Sequence, residues 1–318
     1  MKTHFVQIEK ILRLLFTGSL LLSLNLFPAT AQVCSDPAGV MYGLTGSTAN
    51  IHPITVSTGA VAAKLNPNYT GNVPDLANAM GYSSLTGRFY YFKRNTMNAP
   101  QEFVCYDPGF NAIFARPASP ITTVVNLGCM NPAGTGYYCI DAIGRLFYYN
   151  VSTNLWTTIC SNIRNQFGTT FWNIISGGAV PTPADRVYGD MAFDGSGNLW
   201  ILVSGPTDYG LYKITGPLPT TATASMTMHQ MLAPTTASPG AQSFGGVAFN
   251  ASGQLIMSTN SGDNRLYRLE NNLSLTYLST MTVDGVGTDL TSCNYPLWVL
   301  SPSWSEFTGY RGRKKIFN

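Results

Sequence analysis

The sequence predicts an all-β chain folded as a five-bladed β-propeller, and three observations predict it. The run Gly189-Asp190-Met191-Ala192-Phe193-Asp194-Gly195-Ser196-Gly197-Asn198-Leu199 returns 56 residues later as Gly245-Gly246-Val247-Ala248-Phe249-Asn250-Ala251-Ser252-Gly253-Gln254-Leu255. Each copy leads into a second matching run, Leu211-Tyr212-Lys213-Ile214 and Leu266-Tyr267-Arg268-Leu269, so a whole supersecondary unit repeats. Alternating apolar runs bounded by Gly, Asn, Asp and Pro then repeat the same grammar five times along the chain.

Residues 1–31 read as a secretory signal: a basic start (Lys2, Lys10, Arg13), an apolar core from Leu14 to Phe27, and the small-residue site Ala29-Thr30-Ala31. The core is shorter than the roughly 20 apolar residues of a membrane span, so export without a transmembrane segment is expected. Residues 32–296 then form the propeller. In the first blade Val40 to Leu44, Ile51 to Ile54 and Val61 to Leu65 supply three strands, and Thr288 to Cys293 supplies the innermost one from the far end of the chain. Pairing of N- and C-terminal strands closes the ring and leaves no open seam. Blade two runs from about Asn78 to Phe114, blade three from about Val125 to Ile159, and blades four and five are the two clear copies. The stretch from Arg164 to Arg186 reads as a long loop; a sixth blade is the alternative if Thr170 to Ser176 pairs as a strand. Residues 297–318 are a tail with a basic end, Arg311-Gly312-Arg313-Lys314-Lys315.

The formal charge is +3, and removal of the signal, with Lys2, Lys10, Arg13 and Glu9, leaves +1. Charged residues are only 10% of the chain, so no basic face is available for a nucleic acid partner. The expected location is secreted or periplasmic, and the six cysteines then suggest disulfides. Cys34, ahead of the first strand, and Cys293, in the last, meet if the chain ends pair. Cys129 and Cys139 face each other if residues 132 to 136 form a hairpin turn.

The run from Gly189 to Trp200, then Leu211 to Ile214, then the closing Asp289-Leu290-Thr291-Ser292-Cys293, resembles a family of exported bacterial propellers related to the NHL and six-bladed strictosidine-synthase-like groups. The resemblance spans about residues 34 to 296. It implies the fold and leaves the activity open, because the shared residues do structural work: Asp194 to Asn198 turns the chain between strands, with Gly and Asn at positive φ.

Two histidines remain after the signal, His52 and His229, too few and too far apart for a histidine triad or a multi-histidine zinc site. Carboxylates are the other route, since paired acids around a propeller axis serve glycoside chemistry. Asp190 and Asp289 align at the start of innermost strands, and Asn126 falls at the same register in blade three, with Ala79 and Gly246 completing the ring. These three polar residues are the candidate metal ligands, calcium being the suitable cation, while no cofactor is otherwise implied. No catalytic residue is assigned. The connections between second and third strands gather on one face, where Phe171, Trp172, Asp208, Tyr209, Asp263 and Asn264 are the candidate ligand-binding residues, suited to stacking on sugar rings or gripping a peptide. The leading expectation is a non-enzymatic binding module for surface carbohydrate or protein. The rival is a metal-assisted hydrolase or polysaccharide lyase using the axial aspartates.

Overall fold

A computed structural model of the 318-residue chain describes residues 33–69, 76–96, 100–176, 188–204, 208–236, 243–259 and 262–296. The signal and the tail of the sequence analysis lie outside these residues. Five sheets, antiparallel but for one short outer strand, form five propeller blades. Blade 1 contains β1 (Val40–Leu44), β2 (Ile51–Thr55) and β3 (Ala60–Val61), and blade 2 contains β4 (Leu76–Ser83), β5 (Arg88–Arg94), β6 (Glu102–Asp107) and β7 (Ala112–Ala115). Blade 3 runs through β8 (Val125–Met130), β9 (Gly136–Asp141), β10 (Leu146–Asn150) and β11 (Leu155–Cys160).

A short strand, β12 (Ile163–Asn165), comes before blade 4, which contains β13 (Tyr188–Phe193), β14 (Leu199–Ser204), β15 (Asp208–Ile214) and β16 (Met226–Thr236). Blade 5 contains β17 (Phe244–Phe249), β18 (Leu255–Thr259), β19 (Arg265–Leu269) and β20 (Leu275–Thr280). The last strand, β21 (Asp289–Thr291), completes blade 1 from inside: Tyr42 pairs with Thr291, Gly43 with Leu290 and Leu44 with Asp289. Closure by the two chain ends is therefore as expected, and Cys34 and Cys293 form a disulfide beside that seam.

The stretch after Arg164 departs from a plain loop. Strand β12 lies parallel to β16, with Ile163 opposite Met226 and Asn165 opposite Met228, and gives blade 4 a fifth, outermost strand. The helix α1 (Phe171–Ser176) follows. Thr170 starts it as an N-cap, its Oγ1 accepting from the Asn173 amide at 3.2 Å. Thr170 to Ser176 thus coils over blades 3 and 4 and does not form a sheet strand, its one bridge among the described residues being Arg164–Thr170, and five blades is the correct count.

The turns between first and second strands explain why the repeat is so legible. Asp194 Oδ1 accepts from the amides of Ser196 and Asn198 at 2.9 and 3.0 Å, while its Oδ2 accepts from Trp200 Nε1 at 2.9 Å. In blade 5 Asn250 Oδ1 accepts from Ser252 and Gln254 at 3.0 and 2.9 Å. Both copies are Asx turns in which Gly197 and Gly253 take φ 78°. Asn198 stays out of the left-handed region expected of it; instead its Oδ1 accepts the Gly216 amide at 3.1 Å.

Apolar side chains fill the wedges between blades. Between blades 2 and 3 the rings of Tyr90, Phe92, Phe103, Tyr137 and Tyr149 are buried, and those of Phe103 and Tyr149 meet edge to face at 5.0 Å. The Cys129–Cys139 pairing does not form. In the β8–β9 register Cys129 lies opposite Tyr138 and Cys139 opposite Gly128, one residue apart, so alternation sends the thiols to opposite faces of the sheet. Cys129 packs in the wedge toward blade 4 and Cys139 in the wedge toward blade 2, both as buried free thiols.

Candidate ligand site on the loop face

The two ends of the ring differ. At the end where innermost strands finish, the chain after β21 closes the axis. Tyr295 donates to the Tyr82 carbonyl at 3.1 Å, the Gly195 amide donates to the Pro296 carbonyl at 2.7 Å, and the Cys34–Cys293 disulfide lies on this side. Behind Tyr295 remains a cavity of about 20 Å³ bordered by Met191, Val247 and Leu290, room for a single water.

The axis itself is packed, which changes the role of its acids. A Cβ on Gly246 would sit 2.7 Å from the Leu290 amide, so glycine lets the innermost strands of blades 5 and 1 approach this closely. Asp190 and Asp289 are both at 0% exposure. Asp190 Oδ1 accepts from its neighbour Met191 at 2.7 Å, and Oδ2 accepts from Val247 of blade 5 at 2.8 Å and from Leu290 of blade 1 at 3.4 Å. Asp289 Oδ2 accepts from Ala79 of blade 2 at 2.6 Å, and the Met80 amide also lies against this carboxylate, although Oδ1 makes no well-aligned hydrogen bond. Each acid therefore ties the innermost strand of its own blade to those of other blades.

Burial pushes both carboxyls well above the ordinary aspartate value, and for Asp289 the neighbouring Asp190 charge adds to it. Asn126, the third polar residue of the predicted ring, is half-buried where the β8–β9 register shifts between Val125 and Leu127. Among the described residues no three His, Cys, Asp or Glu side chains gather as a metal-ligand group.

The opposite end carries the connections from second to third strands, and here the predicted ligand residues separate into three sets. Phe171 is turned down into the core between blades 3 and 4 at 1% exposure, a correction to its reading as a ligand contact. Its apolar ring stabilises the helix more by joining that core than by meeting water. Tyr209 is likewise a core residue at 5% exposure, its ring edge-on to Phe244 at 5.0 Å. The side chains of Trp172 and Asp208 lie outside the described residues. Asp263 and Asn264 do reach the face. Asp263 pairs with Arg265 at 3.4 Å, and Asn264, at φ 49°, accepts from the Gly285 amide at 3.1 Å, joining the β18–β19 turn to the connection that leads into β21.

Sequence reasoning missed Arg265 and Tyr277. Tyr277 is 53% exposed on β20, directly opposite Tyr267. The signal available was the alternation of β20, in which Leu278 packs toward blade 1 and Tyr277 must face the other way.

The class these features define is a closed five-bladed propeller with one end sealed by its own C-terminal segment and the other carrying its loops. No protein-family model matches the chain, and no curated protein matches it in sequence. Among solved structures it is similar to a structural genomics protein of unknown function from Bacteroides thetaiotaomicron VPI-5482, with a TM-score of 0.50 and 12% identity over 81% of this chain and 62% of that one. A chain of a nidogen/laminin complex aligns with a TM-score of 0.48 and 10% identity over 80% of this chain and 81% of its own. Virginiamycin B lyase from Staphylococcus aureus aligns at 0.41 and 11% identity, over 80% and 88%. At such identities the likeness bears on fold alone.

Proposed function

We propose that this chain is an exported binding propeller whose ligand, a surface carbohydrate or a protein, sits on the loop face. The observation that carries the reading is the division of labour between the two ends. The axial acids are sealed and bonded to backbone amides, and the far end is closed by Tyr295 and Pro296, which leaves the loop face, with the partly exposed Asp263 and Asn264 among its described residues, as the place to meet a ligand. The disulfide supports an oxidising compartment. A second reading, a metal-assisted hydrolase or polysaccharide lyase, starts from one atom, Asp289 Oδ1, which makes no well-aligned hydrogen bond, and requires the axis to open to a cation such as calcium.

Thermal unfolding of the purified full chain separates the two, because a ligand that binds only the native state raises its melting temperature. Oligosaccharides are expected to raise it, by roughly 2–4 °C at saturating concentrations for a gain of about 1 kcal/mol. The rise should disappear in Trp172→Ala or Asp263→Ala. A rise with calcium that is lost in an Asp190→Ala, Asp289→Ala double variant, with no response to sugars, selects the hydrolase reading instead.

A further inference from the structure

We propose that the outer part of blade 5, on its blade 4 side, is a subsite for a neutral saccharide, built from Tyr277, Arg265 and Asp263. The proposal rests on the loop-face reading above and narrows it to one ligand class and one place. A row of rings leads there from the core. Tyr209 meets Phe244 at 5.0 Å, Phe244 meets Tyr267 at 5.8 Å, and Tyr267 meets Tyr277 at 6.0 Å, every contact edge to face. The first three rings are buried, at 5%, 1% and 7% exposure, and the row breaks the surface only at Tyr277, at 53%.

That exposed ring is held. Tyr267 braces it from the core side, and its hydroxyl hydrogen-bonds Thr280 Oγ1 at 2.8 Å. An aromatic face already fixed in place loses little freedom when a ligand stacks on it, which is why rigid tyrosines make efficient contacts.

The neighbours of the ring suit a sugar. Arg265 lies opposite Thr280 across β19 and β20, and its Nη1 donates to Tyr267 Oη at 3.5 Å while pairing with Asp263 Oδ2 at 3.4 Å. A guanidinium has five N–H donors and a carboxylate about four acceptor positions, so this pair keeps both donors and acceptors for a ligand beside the aromatic face. A pyranose presents that combination in reverse, an apolar C–H face ringed by hydroxyls. The arginine charge is already balanced by Asp263, so an anionic ligand would have to displace a carboxylate, whereas a neutral one would not.

Isothermal titration of the full chain with cellohexaose, xylohexaose, mannohexaose and maltohexaose, with polygalacturonate as the acidic comparison, tests this. At least one neutral hexasaccharide is expected to bind. Tyr277→Ala should weaken that binding about ten-fold, Tyr277→Phe should keep it within about two-fold, and Arg265→Ala should weaken it with the melting temperature unchanged. Binding that is indifferent to Tyr277→Ala but lost in Trp172→Ala would remove this subsite and leave the loop-face reading standing. Binding of polygalacturonate alone would overturn the neutral-ligand assignment, and binding of none of the five would overturn the saccharide proposal outright.

Discussion

Replacing Cys34 and Cys293 together by serine is expected to lower the stability of the propeller by up to about 5.5 kcal/mol, the chain-entropy limit for so long a loop. The bond spans 259 residues, so without it the unfolded chain gains nearly the whole conformational freedom of an open polymer. The native side of the balance points the same way. The seam rests on only three register pairs between β1 and β21, and the outer strand of the same blade, β3, has two residues. Blade 1 is thus the blade with the shortest ladder, and the one the disulfide secures. Guanidinium unfolding of the oxidised and variant proteins measures the effect. The midpoint should fall, and the m-value should rise because an uncrosslinked denatured chain exposes more surface. Equal midpoints would mean that the strand pairs and the Tyr295 contact close the ring by themselves. Peptide mapping without reduction should also yield one fragment pair joined through these two cysteines.

Much of this architecture was legible because its signals are local. An Asx turn needs Asp194 or Asn250 and a glycine within a few residues, so the repeat writes its own turn chemistry into the sequence. Blade closure was legible for a related reason: a blade with three strands at one end of the chain and a spare strand at the other has one economical solution. What escaped was set by partners distant in sequence. Strand β12 has three residues and pairs with Met226 to Met228 more than sixty residues away, with no alternation long enough to mark it. Helix α1 has six residues, less than two turns, which leaves no periodicity to read. Phe171 and Tyr209 look like exposed loop aromatics until blades from other parts of the chain close over them. Cys129 and Cys139 miss a facing pair by one residue of register, which in a strand reverses the face completely. The axial acids align in the sequence, but their burial follows from innermost strands of neighbouring blades approaching closely at glycines such as Gly81 and Gly246, a property of the assembled ring.

The pH dependence of stability tests what those acids do. Asp289 is expected to make the wild-type protein lose stability as pH rises above the ordinary aspartate value of 3.8. Burial and the Asp190 charge raise its native pKa, so between that value and the raised one the native state holds a proton that the unfolded state has released. Stability then falls by up to about 1.4 kcal/mol per pH unit for one such group, and below the unfolded pKa the difference vanishes because both states are protonated. The other titratable groups facing this site are Asp190, Cys129 and Tyr137. Burial pushes the Cys129 thiol and the Tyr137 phenol upward, so both stay neutral through the mildly acidic range and the two carboxyls carry the titration. Asp289→Asn keeps an acceptor for the Ala79 amide and cannot ionise, its amide NH2 taking the place of the hydroxyl of the protonated carboxyl. The variant should therefore match wild type near pH 4, exceed it near pH 7, and show a flatter profile between. Chemical denaturation from pH 4 to 8 in a chelator, repeated with calcium, measures it. If calcium makes wild type the more stable of the two at neutral pH, the axis binds a cation, Asp289 is one of its ligands, and the proton account fails.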